Sequence, residues 1–269
     1  MEIGLACSWR AEPGRPLRAA IEEAAAAAER SGLASLWAVG DRQQIGEGSH
    51  DGVLGLLVAA RATTRLRLGL SGDAVTARSV PVRAKQLATL DWFSGGRLAY
   101  GLDPAEPAAP LRSHLSEDDG SGDAVAKAVD HLAAMHALWT ESRARVDTGH
   151  VTIRGAIALP KPAGGAGLPI HLRDVPDDRA LGAYVDAAPR LAGWLAWKQD
   201  AGAVETASAR FDRLLEQRGR DAASVRRTWF VDAADWPGAR ETARDLGLDE
   251  VVAVFPRVPR AEEVEGLGA

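Results

Sequence analysis

Apolar and polar positions follow a repeating order along this chain: a short apolar run, a longer segment with helical spacing, then the next apolar run. Eight apolar runs can be identified, and a helix-like segment follows each of them except the last. Because strands that alternate with helices form parallel sheets, and eight such units close on themselves, the pattern predicts a (β/α)8 TIM barrel of the α/β class. The predicted strands are Glu2–Ser8, Ser35–Val39, Leu66–Ser71, Arg97–Leu102, Pro169–Leu172, Leu191–Ala196, Arg227–Val231 and Glu250–Phe255.

Length and loop composition add detail to this barrel. A barrel of this kind takes about 250 residues, so residues 1–269 are predicted to form a single domain. Asp103–Gly122 is rich in proline, acidic residues and glycine and has no period, which predicts a lid-like loop after the fourth strand or, equally, a mobile insertion. Ala144–Ala158 alternates polar and apolar residues and predicts a small hairpin. The chain ends with at most a short eighth helix in Ala261–Leu267.

The charge and cysteine content exclude several classes of protein. A net charge of −5 argues against a nucleic-acid-binding protein, which needs a concentrated basic surface. Cys7 is the only cysteine, so neither an intrachain disulfide nor chemistry by a thiol pair is expected. The sequence contains no basic segment followed by a long apolar run, so we predict a cytoplasmic protein without a membrane span.

Three segments of the N-terminal half resemble a known family. They are SGLASLWAVGDR at Ser31–Arg42, RATTRLRLGLS at Arg61–Ser71, and ATLD followed by SGGRL within Ser79–Leu102. These segments resemble the luciferase-like monooxygenase family of flavin- and deazaflavin-dependent oxidoreductases. The resemblance is much weaker beyond Leu102. It implies a cofactor across the barrel mouth and pairing of two subunits through helices beside strands two and three. The Ser94–Arg97 turn itself lies at the amino end of a strand, so we interpret it as structural.

Candidate catalytic residues follow the second predicted strand, because a parallel barrel collects its reactive groups at the carboxyl ends of its strands. In the resembling family an acidic residue and a polar residue face the cofactor at this point, which here corresponds to Asp41 and Arg42. Arg42 stays charged and could only hold an anionic atom, whereas Asp41 could act as an acid or base. The alternative is a salt bridge at the rim.

His50 is the other candidate for proton transfer, because it lies in the same loop, in GEGSHDG. A helix-capping or solvated histidine is the competing interpretation. The histidines are not spaced as in a metal site, and the single cysteine cannot complete one, so no metal is predicted.

The candidate cofactor-binding residues follow strands three to five. Ser71 and Gly72 correspond to the place where relatives bring backbone close to the isoalloxazine edge, which Gly72 permits because it lacks a Cβ atom, although a glycine after a strand is also an ordinary turn. Gly101 and Asp103 end the fourth strand and are expected to border the same cofactor. Relatives carry glycine-rich phosphate cradles after strands four and five, where this chain has prolines and acidic residues. Arg112 and Arg173 are therefore the candidate phosphate clamps.

Three functions remain open from the sequence. The first is a two-electron oxidoreductase or monooxygenase that uses a reduced deazaflavin coenzyme of the F420 type, or FMN, on a small organic substrate. The second is a barrel that has lost its cofactor and performs acid–base catalysis or binds a small molecule, and the third is a non-catalytic partner subunit. The Gly-Asp-Arg ending of strand two favours the deazaflavin, because it looks more like the branch of the family that uses it. The helix Gly52–Ala62 is apolar on more than one face, which predicts a homodimer.

Overall fold

A closed barrel of eight parallel strands forms the core of the protein. The computed structural model describes residues 1–39, 49–103, 123–174 and 177–268. The barrel order is β1-β10-β9-β8-β7-β4-β3-β2, and β5 and β6 form a separate antiparallel hairpin. The predicted barrel and hairpin are confirmed, and observed and predicted strands differ only by a residue or two at their ends. The strands are β1 Glu2–Cys7, β2 Ser35–Ala38, β3 Arg67–Asp73, β4 Leu98–Leu102, β5 Ala144–Asp147, β6 Thr152–Ala156, β7 Ile170–Arg173, β8 Leu191–Trp197, β9 Arg226–Asp232 and β10 Glu250–Phe255.

Helices surround this barrel and cover its outer face. The short C-terminal helix, α8, buries Val264 and Leu267 and contacts both α1 and β1, so it closes the wall between the two ends of the chain. None of the helices in the described residues is long and apolar enough to cross a membrane. The helices are α1 Leu17–Arg30, α2 Gly52–Ala62, α3 Val80–Ser94, α4 Ala124–Thr140, α5 Asp178–Ala187, α6 Ala201–Gln217, α7 Trp236–Asp245 and α8 Ala261–Gly268.

Local sequence signals set the ends of several helices. Asp51 accepts a hydrogen bond from the N–H of Leu54 at 3.0 Å and so caps α2. Asp123 caps α4 in the same way, accepting from the first-turn amides. Helix α3 ends at Gly95, whose φ of 71° is the left-handed conformation that stops a helix at little cost in a residue without Cβ.

Arg97 ties the amino end of β4 to the helix before β3. Its guanidinium donates to the carbonyl oxygens of Ala60, Thr63 and Leu66, at 3.3, 3.0 and 2.6 Å respectively. These are carbonyls at and beyond the end of α2, which have no partner within the helix. The structural interpretation of the Ser94–Arg97 turn is therefore confirmed.

Two carboxylates hold neighbouring turns at the same end of the barrel. Glu29 accepts from the backbone amides of residues 64–66, at distances of 2.8 to 3.1 Å. Burial opposes ionisation of this group, but these hydrogen bonds outweigh it and lower the pKa of Glu29 to about 2. Asp91, in the ATLD segment, accepts from the amides of Ala163 at 2.8 Å and Leu98 at 3.3 Å. The family-like segments thus build the turns at the amino ends of the strands.

A charged cluster fills the barrel interior near that end. The carboxylate of Glu250 is completely buried and lies 2.9 Å from Nη2 of Arg67 and 3.4 Å from Nε of Arg226. It also accepts hydrogen bonds from the hydroxyl groups of Ser35 and Thr228. A carboxylate without solvent needs such partners, because an isolated buried charge is costly.

His171 occupies the next layer of the interior. Its ring meets Trp37 edge to face with 5.5 Å between centroids, and residue 193 must be glycine because a Cβ there would lie 2.0 Å from Nδ1 of His171. Burial, together with the positive charges of the nearby Arg67 and Arg226, lowers the pKa of His171 to about 3. His171 is therefore neutral at physiological pH.

Candidate functional site

The carboxyl ends of the barrel strands meet at one mouth, where a β-bulge interrupts β3. Leu70 pairs with Tyr100 and Asp73 pairs with Leu102, so β3 carries one residue more than β4 across this interval. The extra residue falls at Ser71–Gly72. Bulges of this kind are common beside active sites, because they change the direction in which backbone and side chains face.

Gly101 makes room for this bulge. A Cβ on Gly101 would lie only 2.2 Å from the carbonyl oxygen of Leu70 and 3.1 Å from the carbonyl carbon of Ser71. The backbones of β3 and β4 therefore approach so closely that only glycine fits at residue 101. Ser71 is fully buried at the same place.

Arg173 lies over the bulge. A Cβ on Gly72 would come 2.9 Å from Nη1 of Arg173, 3.0 Å from its Cδ and 3.4 Å from the Cβ of Asp103. Three of the residues predicted from separate strand ends, Gly72, Asp103 and Arg173, are thus brought together. Whether they bind a cofactor stays a prediction.

The guanidinium of Arg173 is held from two sides and is nearly out of solvent. Its central carbon lies 4.0 Å from the centroid of the Trp197 ring, and its Nε lies 3.5 Å from Oδ2 of Asp174. Only 3% of the residue is exposed. A cation desolvated between a carboxylate and an aromatic face interacts with an anion more strongly than it would in water.

Asp174 follows Arg173 at the end of β7. Its Oδ1 accepts from the amide of Trp197 at 2.9 Å and from Nε2 of Gln199 at 2.5 Å. Burial raises the pKa of the Asp174 carboxyl and the neighbouring Asp103 raises it too, although these hydrogen bonds and Arg173 oppose the shift. The sequence does not single out Asp174, because its partners at and after the end of β8 are distant in the chain.

Asp73, at the end of β3, has a structural partner that the sequence did not reveal. Nε of Arg83 donates to its Oδ2 at 2.7 Å, a second nitrogen of the same guanidinium donates to Oδ1, and the hydroxyl of Tyr100 donates to Oδ2 at 2.6 Å. The only sequence signal is an acidic residue after an apolar strand with an arginine in the following helix. This buried group fixes the end of β3, which carries the bulge.

His50 lies at the outer edge of the mouth and is exposed. Its Nδ1 lies 2.7 Å from the carbonyl oxygen of Trp9, to which it donates, and its amide donates to the same oxygen at 3.2 Å. The cap of α2 is Asp51, so the helix-capping interpretation of His50 is wrong. The other predicted residues, Asp41, Arg42 and Arg112, lie outside the described residues, as does the lid-like loop beyond Asp103.

Among the residues that the structure describes, no group of three or more His, Cys, Asp or Glu side chains is arranged to hold a metal ion. A cavity of ≈ 330 Å³ opens beside the mouth between the starts of α6 and α7. Lys198, Gln199 and Asp232 line it, and Nζ of Lys198 lies 2.5 Å from Oδ1 of Asp232. The mouth can therefore offer a cation, carboxyl groups and an adjoining polar cavity.

Comparison with known proteins gives matches by family, by sequence and by fold. The model of the luciferase-like monooxygenase family matches residues 1–235. Uncharacterised proteins of Mycobacterium bovis and Mycobacterium tuberculosis are 33% identical over 129 residues, which is 47% of this chain. The aligned segment spans only 34% of the length of these relatives.

Solved structures share the fold at low sequence identity. The coenzyme F420-dependent tetrahydromethanopterin reductase of Methanopyrus kandleri superposes with a TM-score of 0.78 at 14% identity, covering 99% of this chain and 97% of that one. The oxygenating constituent of 3,6-diketocamphane monooxygenase from Pseudomonas putida, in complex with FMN, gives a TM-score of 0.68 at 16% identity, covering 85% and 66%.

Proposed function

Since the chain belongs to the luciferase-like monooxygenase family, we propose that it is a redox enzyme that binds a deazaflavin coenzyme of the F420 type, or FMN, across the barrel mouth. Proteins of the same fold include one described as F420-dependent and one described in complex with FMN. The observation that carries the proposal is the glycine bulge at Ser71–Gly72 with the guanidinium of Arg173 on its face. When bound, such a cofactor supplies hydride or oxygen chemistry.

The described residues fit a planar, anionic ligand at this place. Gly72 has no side chain, so a ring that displaces the overlying guanidinium of Arg173 can approach its backbone closely. A guanidinium presents several donors in one plane, which suits the oxygen and nitrogen atoms of a ring edge or a phosphate. Arg173 stacks on Trp197 at this face, so a ring bound at Gly72 would contact a cation.

Both cofactors carry phosphate, and this chain would have to bind it without a glycine-rich cradle. Prolines and acidic residues stand after Asp103 and after Arg173, so arginine side chains are the available groups. In the proposal, Arg173 holds an anionic group from inside the mouth and Arg112 holds one from the loop. The rest of the barrel interior, with Trp37 and Phe230 in edge-to-face contact, excludes water below the ring.

We favour the deazaflavin over FMN. The support is the Gly40-Asp41-Arg42 ending of strand two, which looks more like the branch of the family that uses deazaflavin. In this proposal Asp41 and His50 are the candidates for proton transfer on the β2 side of the mouth, and Arg42 holds an anionic atom. The substrate is a small organic molecule.

A second candidate function is a barrel of the same family that works without a cofactor, as an acid–base catalyst or a binding protein. The observation that favours it is the burial of Arg173, which covers Gly72 and is itself only 3% exposed. A ring that lies directly on the bulge would have to move this side chain away from Trp197. The two candidate functions therefore differ in whether the side chain of Arg173 moves to admit the ring of a cofactor.

Calorimetric titration of the purified protein with oxidised F420, FMN and riboflavin separates these functions. We expect micromolar binding of F420 or FMN and weaker binding of riboflavin, which has no phosphate. Failure of both phosphorylated cofactors to bind at hundreds of micromolar would refute the redox proposal and favour the cofactor-free barrel.

A further inference from the structure

Backbone strain in the described residues is concentrated at one sector of the mouth. Asp174 and Lys198 are the two non-glycine residues there with positive φ, at 39° and 50° respectively. They directly follow β7 and β8, which are neighbours in the barrel. Most side chains disfavour this conformation, and residues held in it cluster at functional sites.

The carboxyl group of Asp174 has two oxygens in different surroundings. Oδ1 is fixed by the amide of Trp197 and by Gln199, whereas Oδ2 lies 3.5 Å from Nε of Arg173, which is longer than an ordinary N–H···O hydrogen bond. The side chain is 30% exposed. Oδ1 therefore sets the orientation, and Oδ2 is the oxygen that can exchange a proton with a ligand.

Charged residues stand at the ends of β7 and of the two strands beside it. Arg173 lies beside it on β7, Asp103 stands at the end of β4, and Lys198 follows β8. The ammonium of Lys198 is paired with Asp232 at the end of β9 and is thus partly neutralised. Of these groups, Arg173 favours the carboxylate form of Asp174 and Asp103 favours the protonated form, as burial does.

A cavity adjoins this sector on the side of α6 and α7. Gln199, which donates to Asp174, also lines the ≈ 330 Å³ cavity, together with Lys198 and Asp232. The cavity is polar at this end because both an ammonium and a carboxylate line it. Gln199 therefore joins the Asp174 carboxyl to the wall of this cavity.

We propose that Asp174 is a catalytic acid–base residue that exchanges a proton with the oxygen of a carbonyl or alcohol substrate at the barrel mouth. In the reducing direction, a bound reduced deazaflavin or flavin would supply the hydride that the carbonyl carbon accepts, and the O–H bond of the Asp174 carboxylic acid would break as a new one forms on the substrate oxygen. The products are the alcohol, the oxidised cofactor and the carboxylate, which takes its proton back from water. This role rests on the proposed redox function, and it adds a proton carrier after β7 to the candidates Asp41 and His50.

One matched pair of variants distinguishes a catalytic role of Asp174 from a purely structural one. Asp174→Asn keeps an oxygen that can accept from Trp197 and Gln199 but cannot carry the proton, whereas Asp186→Asn removes an exposed carboxylate that pairs with Arg218 on the helical surface. We expect the melting temperatures of both variants to lie within a few degrees of that of the wild-type protein.

The first arm of the test is carbon-13 NMR titration of the Asp174 carboxyl from about pH 3 to about pH 8, assigned with Asp174→Asn and recorded without cofactor. A midpoint above the ordinary aspartate value of about 3.9 supports the proposal, and a midpoint at or below that value overturns it. This arm does not depend on the proposed redox function.

The second arm measures reduction of acetone and cyclohexanone with reduced F420 against pH. We expect Asp174→Asn to lower kcat by about 100-fold or more, with KM nearly unchanged, and to remove the pH dependence, while Asp186→Asn has no effect. Turnover of Asp174→Asn equal to that of the unchanged enzyme would overturn the proposal. Binding of F420 without turnover of either ketone would count against a carbonyl substrate. Absence of F420 binding would refute the redox function, and the NMR titration would then decide by itself whether the midpoint of the Asp174 carboxyl is raised.

Discussion

The side chain of Arg173 lies on the backbone of Gly72, so closely that a methyl group at residue 72 would come 2.9 Å from its Nη1. These residues are 101 positions apart in the chain (173 − 72) and are separated in the barrel by β4. The contact joins the bulge of β3 to the stack of Arg173 on Trp197. It places a cation directly on a backbone face that carries no side chain, at one point of the mouth.

Gly72→Ala tests the use of that face. The methyl group would meet the end of a flexible side chain, so we expect a loss of about 1 kcal/mol or less in unfolding free energy but about tenfold weaker cofactor binding. Gly69→Ala is the matched control for packing, since its methyl group would lie 2.1 Å from the rigid ring of Trp37 and should cost about 1–3 kcal/mol. Urea unfolding and calorimetry measure both quantities, and unchanged affinity in Gly72→Ala would argue against a ligand at this face.

Glu250→Gln tests the buried charges below the mouth. The substitution keeps the shape but leaves Arg67 and Arg226 without their buried carboxylate, so we expect a loss of about 3–5 kcal/mol in unfolding free energy. The control is Glu22→Gln on α1, whose pair with Arg18 is exposed and should contribute less than about 1 kcal/mol. Equal effects of the two substitutions in urea unfolding would contradict this account of the interior.

His171 predicts a dependence of stability on pH. Its pKa is lowered from 6.5 to about 3 by burial and by the two arginines, so the unfolded chain binds a proton below pH 6.5 that the folded protein does not accept. The stability from this group is present above about pH 6.5 and falls by about 1.4 kcal/mol per pH unit as the pH drops toward 3. We expect urea unfolding between pH 7 and about pH 5 to show this slope, and His171→Asn to flatten it. The same slope in the variant would assign the effect to other groups.

An apolar groove lies between α2 and α3, and α2 is the helix from which the sequence predicts a homodimer. Its cavity of ≈ 430 Å³ is lined by Leu54 and Phe93, which are 65% and 64% exposed, and also by Asp51 and Lys85. We propose a second copy of this chain as the occupant, because in a two-fold pair opposite charges such as Asp51 and Lys85 can meet across the interface.

Leu54→Glu should then convert the dimer to a monomer in light scattering at micromolar concentration. Ile157→Glu, which changes another exposed apolar residue away from this groove, should leave the dimer intact. A monomeric unchanged protein would contradict the proposal.

The sequence predicts the barrel well because the pattern that indicates each strand or helix is local. Strand periodicity needs only neighbouring residues, and the family-like segments contain residues such as Asp91 and Arg97 that bind backbone groups of nearby turns. These interactions hold the amino ends of the strands, which explains why the chain resembles its family there.

The candidate site could be predicted only in part, because its contacts join distant strand ends. The chain order indicates that Gly72 and Arg173 both follow strands, but not that one covers the other. Likewise, the left-handed backbone of Asp174 and its bond to the amide of Trp197 depend on how β7 and β8 end side by side. No periodicity or short motif carries this information.

The most direct test of the site is the affinity for oxidised F420 of the unchanged protein, Arg173→Met and Arg18→Met, measured by calorimetry under one set of conditions. Arg18 is an exposed surface arginine, so its substitution controls for the loss of one positive charge. The account predicts micromolar binding that Arg18→Met preserves and Arg173→Met weakens by about tenfold or more. Equal affinity in all three proteins, or absence of binding by the unchanged protein at hundreds of micromolar, would contradict it.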